Sequence, residues 1–146
     1  LFLEFFLQSG FNDFLLINKR NLFGSGIRYN ALNNEQFNFF IGSGLMRELE
    51  EYQLVLDDQR LLNRSTNYLQ SKIKFSENID LSNTVYYQMN VADFRDYRLL
   101  FDSDITFSLN EKLSFNFIIN YRFDNEPHGD LRKSYIQINN GIEFNF

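Results

Sequence analysis

Hydrophobic alternation with a period of two runs through nearly all of this chain and constrains its fold more than any other feature. A β-strand turns successive side chains to opposite faces, so such alternation builds a sheet with one apolar and one polar face. It recurs in eight windows, residues 1–8, 20–31, 36–48, 64–76, 81–91, 97–109, 112–123 and 133–146. The last window is the clearest: Ile136, Ile138, Ile142, Phe144 and Phe146 share one parity, while Gln137, Asn139, Gly141, Glu143 and Asn145 hold the other. No segment competes convincingly at the helical period.

Most windows reach the roughly 9 to 11 residues that a membrane-spanning strand needs, whereas strands of soluble domains centre on about 5 to 6. Short turns at residues 32–35, 77–80 and 110–111 alternate with longer links at 9–19, 49–63, 92–96 and 124–132. Outer-membrane barrels have this asymmetry, with short periplasmic turns and longer external loops. The link after Leu49 either holds a helical turn or extends the strands above the membrane. The expected fold is all-β, a transmembrane antiparallel up-and-down β-barrel with about eight strands in this chain, in one domain over residues 1–146.

Charge placement checks the strand assignment almost independently. Every charged residue inside the windows takes the polar parity except Arg47, which near a strand end can snorkel to headgroups. Parity alone does not say which face points inward, but side-chain volume does. Phe5, Phe23, Phe39, Phe75, Phe101, Phe115 and Phe144 lie on the apolar parity and Gly24, Gly26, Gly42, Gly44, Ser82 and Thr84 on the other. An eight-stranded barrel interior is only just filled by side chains, so the phenylalanines belong outside, facing lipid. A soluble ligand-binding sandwich of two sheets has more room and is the alternative fold.

The inward set then has nine basic and five acidic residues, against four basic and ten acidic in the long links. Interior charges must pair, because an isolated buried charge is costly. Glu4, Arg28, Glu48, Asp102, Asp104, Arg122 and Glu143 are therefore expected to form an internal ion-pair lattice. That lattice is either a structural plug or the lining of a small diffusion channel with a slightly cationic lumen. The pairs Gly24-x-Gly26 and Gly42-x-Gly44 precede no helix, so they are not nucleotide loops. They are expected to make room for Arg28 and Glu48 or to let the sheet bend.

Composition narrows the function classes. With no cysteine there is no disulfide framework and no thiolate chemistry. Mean hydropathy is -0.35, and no run approaches the roughly 20 apolar residues of a spanning helix. The net charge of -5 has no basic block, which argues against nucleic acid. With 18 Phe, 8 Tyr and no Trp, Tyr and Phe are left to fill the interfacial belts.

His128, the single histidine, lies near Asp130 and Ser134 and invites a membrane-hydrolase reading. The Asn, Pro and Gly around it explain a turn unaided, and a metal site with Asp124, Glu126 and Asp130 would rest on one imidazole. The pairs Glu50-Glu51 and Asp57-Asp58 invite calcium or a divalent bridge to lipopolysaccharide, but no spacing matches an EF-hand. The expectation is a non-enzymatic protein with no catalytic residue, no metal site and no cofactor.

The motifs Gly24-x-Gly26-x-Arg28-Tyr29, Gly42-x-Gly44-x-x-x-Glu48, Tyr121-x-x-Asp124-Asn125-x-Pro127 and Gly141-x-x-Phe144-x-Phe146 resemble a domain-of-unknown-function family described as salt-induced outer membrane proteins. The resemblance covers nearly the whole chain and supplies no catalytic residue. It implies a barrel in the Gram-negative outer membrane with further strands before Leu1, nearer twelve in all, so that the eight here would be the C-terminal part. Asn139, Gly141, Phe144 and Phe146 also resemble the terminal signal read by the barrel-assembly machinery. The expected role is a structural or accessory barrel, a subunit of a larger outer-membrane complex that contacts outer-membrane lipid and lipopolysaccharide.

Overall fold

Strands form wherever the alternation runs, and β2, β3 and β4 run well beyond their windows. The computed structural model describes residues 1–13, 16–53 and 59–144. It contains β1 (Phe2–Asn12), β2 (Ile17–Asn33), β3 (Phe37–Tyr52), β4 (Gln59–Ser76), β5 (Ile79–Asn90), β6 (Tyr97–Asn110), β7 (Leu113–Asp124) and β8 (Ser134–Phe144). Each strand pairs antiparallel with its neighbours in sequence, giving one eight-stranded sheet in the order β1 to β8. The single sheet replaces the alternative of a two-sheet sandwich.

The short turns are closed by the side chains that begin them. Asn34 Oδ1 accepts hydrogen bonds from the backbone N–H groups of Gln36 and Phe37 at 3.0 and 2.7 Å. Asn110 Oδ1 does the same for Lys112 and Leu113 at 2.9 and 3.0 Å. An Asx side chain that mimics a backbone turn is the ordinary reason for Asn at such positions. At the opposite end the ladder continues, with Ile17 opposite Tyr52 and Glu51 opposite Gln59. The link after Leu49 therefore extends the strands as a hairpin, and Asp57 and Asp58 lie outside the described residues.

The polarity of this sheet is inverted relative to a water-soluble domain. Among the described residues the buried hydrophobic side chains are Ile17, Leu22, Met46 and Tyr52, while Glu48, Glu50, Arg64 and Asp96 are also buried. Phe5, Leu45 and Ile142 are 82%, 63% and 68% exposed. Tyr29, Ile41, Leu69, Val85, Phe101 and Tyr121 are successive cross-strand partners from β2 to β7. They make one continuous apolar row on the outward face.

Side-chain contacts show which face is concave. Arg98 on β6 reaches both Glu48 and Glu50 on β3 at 3.1 Å, and the Tyr68 hydroxyl on β4 donates to Glu4 on β1 at 2.7 Å. In a flat sheet strands three apart would be separated by about 14 Å, so the polar face must curl inward. The sheet is a half-barrel, and among the described residues β1 and β8 each pair on one side only.

Of the two roles expected for the inward glycines, the close backbone approach that lets the sheet bend is the one their surroundings fit. Gly26 and Gly44 lie directly opposite one another. A Cβ on Gly44 would sit 2.5 Å from the Ser25 carbonyl oxygen and 2.9 Å from the Gly26 Cα. Gly42 lies under the Tyr68 ring and Gly24 under the Phe6 ring, so the space goes to aromatic rings and backbone, not to Arg28 and Glu48. Gly44→Ala is expected to destabilise the fold by about 1–3 kcal/mol, the usual range for overpacking, because backbone cannot swing aside. Urea unfolding of the refolded protein measures this, and an unchanged midpoint would show that β2 and β3 part freely.

Candidate functional site

Where the strands outrun their windows, inward residues from β2, β3, β4, β6, β7 and the β5–β6 turn meet in one ionic cluster. Glu48 and Arg64 are both 0% exposed, and Arg64 pairs with Glu48 at 3.0 Å and with Asp96 at 2.8 Å. Arg20 also pairs with Glu48, and lies 3.5 Å from Glu50. Arg98 joins Glu48, Glu50 and Asp124, the last at 2.7 Å. Arg60 approaches Asp96 at 3.5 Å. Four guanidiniums thus face four carboxylates, a balance that burial demands, since either sign left over would have to be desolvated without compensation.

Neutral groups complete the cluster. The Tyr52 hydroxyl donates to Glu50 at 2.6 Å and Asn90 Nδ2 to Asp96 at 3.2 Å. The His128 ring, from the link between β7 and β8, stacks on Tyr52 with centroids 4.0 Å apart and planes at 24°. That contact lays the link across the open end of the half-barrel. A recess of about 280 Å³ lies beneath it, walled by Gln8, Arg20, Tyr52 and Arg98 on one side of the fold and by Arg122, His128 and Tyr135 on the other.

Only part of the expected lattice is brought together. Glu48 enters the cluster, but Glu4 and Arg28 form a separate pair at 3.2 Å nearer the short turns. There the Arg28 guanidinium lies 5.7 and 5.2 Å from the Phe2 and Phe40 ring centroids. Asp102 and Arg122 pair at 2.7 Å, with Asn120 donating to Asp102 at 2.6 Å. Asp104 accepts from the Thr106 hydroxyl at 3.3 Å and Glu143 is exposed; neither has an ion pair among the described residues. Glu143 lies on β8, which among the described residues pairs with β7 alone, so no second strand brings it a cation there.

Glu50, Tyr52, Arg60, Asp96 and Asp124 are the members that the window boundaries assigned to links. Their signal was present: Glu48, Glu50 and Tyr52, like Arg60, Leu62 and Arg64, keep one parity past the boundaries. Their inclusion, with Lys112 and Lys133 lying outside β7 and β8, balances the charge on the inward faces of the strands, while Lys133 lines the recess beyond the start of β8. It also separates Glu50 from Glu51, because neighbours on a strand point to opposite faces, so the two carboxylates do not converge on one ion. In the exposed β5–β6 turn, Arg95 donates to the Asp93 carboxylate at 3.2 Å and holds that carboxyl below its ordinary range.

In the terminal strand, Asn139 lies opposite Ile118, Gly141 opposite Asn116 and Phe144 opposite Leu113. Phe144 is 62% exposed on the apolar face, and Phe146 lies outside the described residues. A family model described as a protein of unknown function, DUF481, matches residues 1–146 of the chain. No curated protein and no solved structure matches it significantly.

Proposed function

The chain belongs to the DUF481 family, and from its inverted polarity we propose that it is a non-enzymatic β-barrel protein of the bacterial outer membrane, acting as a structural or accessory subunit of an envelope complex. The observation that carries this reading is the outward apolar row from Tyr29 to Tyr121 opposite an inward face with buried Arg64, Glu48 and Glu50. A soluble monomer rarely exposes so large a contiguous apolar surface, whereas a spanning sheet needs apolar residues toward lipid and polar ones within. Strands of 11 to 18 residues exceed the roughly 9 to 11 that a bilayer requires. The surplus in β3 and β4 then stands above the membrane as a hairpin.

Outer-membrane lipid and lipopolysaccharide are the surroundings this face suits, and Asn139, Gly141, Phe144 and Phe146 are the residues proposed to address the chain to the barrel-assembly machinery. The balanced ionic cluster and the link folded over it favour a closed interior over a diffusion channel. Two measurements test the proposal on the full-length protein. Fractionated cells should yield it in the outer membrane with heat-modifiable migration in detergent gels; soluble periplasmic protein without that migration would overturn the barrel. Planar bilayers should record no openings, and steady conductance would replace the accessory role with a channel.

A further inference from the structure

We infer that the recess beneath the β7–β8 link binds a phosphomonoester carried on a polar ring, held by Arg132 and Lys133. The recess, at about 280 Å³, is just below the roughly 300–1,000 Å³ of drug-sized ligand pockets, room for one sugar-sized group. Its charged lining is Arg20, Arg98, Arg122, Arg132 and Lys133 against Glu50 and Asp124. The first three cations are already engaged, Arg20 by Glu48, Arg98 by Glu50 and Asp124, and Arg122 by Asp102. Arg132 and Lys133 are exposed where they line the recess and have no ion pair among the described residues, so both are open to an incoming anion.

A phosphomonoester answers both at once. It brings up to two negative charges and three strong acceptor oxygens, and charge-assisted bonds from guanidinium and ammonium are the stronger class. Gln8, Asn120 and Gln137 put amides along the wall, and with Asn120 donating to Asp102 and Gln137 to Asn139 their carbonyl oxygens suit ring hydroxyls as acceptors. Pro127 and Leu131 add an apolar lip from the link itself. Such an ester is found either as a soluble sugar phosphate or as a phosphorylated lipid headgroup. The site depends on the recess alone, so its test is separate from that of membrane location.

Calorimetric titration of the full-length protein in a non-ionic detergent with glucose 1-phosphate provides that test. Saturable binding is expected, with unphosphorylated glucose giving none. The double variant Arg132→Ala/Lys133→Ala should weaken it by about tenfold or more, the scale of losing hydrogen bonds to charged groups. Arg95→Ala, which removes an 83%-exposed arginine from the β5–β6 turn, should leave it unchanged. No binding of glucose 1-phosphate, or equal weakening by Arg95→Ala, would overturn the assignment. So would undiminished binding to a double variant that retains the far-UV circular dichroism of the unmodified protein. Competition by lipid A in mixed micelles identifies a lipid headgroup as the source; its absence identifies a soluble ester.

Discussion

Arg64→Ala is expected to destabilise the folded protein by about 3–5 kcal/mol, the range for removing one partner from a buried ion pair. Arg64 is fully buried and its guanidinium joins Glu48 on β3 to Asp96 beyond β5, donating also to the Asp96 carbonyl at 3.3 Å. Without it Glu48 keeps Arg20 and Arg98, but Asp96 is left with Arg60 at 3.5 Å as its one cation among the described residues. A buried carboxylate so placed must protonate, draw in water or pull the turn away. Arg64→Lys should fall between, because an ammonium keeps the charge but cannot fork to two carboxylates. Urea unfolding of protein refolded into lipid vesicles, followed by far-UV circular dichroism, reads both. A loss for Arg64→Ala below about 1 kcal/mol, within the range of an exposed pair, would mean that water already shares the cluster.

Val85→Arg is expected to cost about 2–4 kcal/mol in a bilayer, the penalty for a charge near the midplane on the lipid face of a barrel. Val85 stands mid-strand in β5, between Leu69 and Phe101 in the outward row, and is 42% exposed. The same substitution on a face bathed in water would change stability by no more than about 0.5 kcal/mol. The two environments therefore predict results several-fold apart from one variant. Refolding yield and unfolding midpoint in vesicles measure it, and a near-zero change would contradict lipid contact at this face. Thr84→Ala, one residue away but pointing to the concave side, serves as the comparison and involves no charge.

All eight strands and the consecutive up-and-down order were legible in the sequence because a strand's two-residue period is local: Ile136, Ile138 and Ile142 must share a face once that segment is extended. The inward parity of Glu48, Arg64 and Arg98 was legible for the same reason. The ends of the long strands were less so. Leu49 to Asn63 contains charged residues that read as a solvated link, yet Glu50 is buried because Arg20 and Arg98 arrive from other strands to meet it. Asp104 and Glu143 have no ion pair among the described residues for the converse reason, since parity puts a charge on a face without supplying its partner.

What the sequence determined by itself was a pattern of faces: apolar outward, polar and small inward, with turns where Asn34 and Asn110 can close them. Strand geometry makes that pattern a property of neighbouring residues, and no distant contact is needed to read it. Only the tertiary structure decided which charges meet. Arg98 and Glu48 are 50 residues apart, and on a flat sheet their strands would be too distant to pair. The curl, relieved by glycine at Gly26 and Gly44 and held by the cluster, brings them together. The same curl sets the His128 link over the recess, a placement that depends on the register of several strands at once and so is written in no single segment.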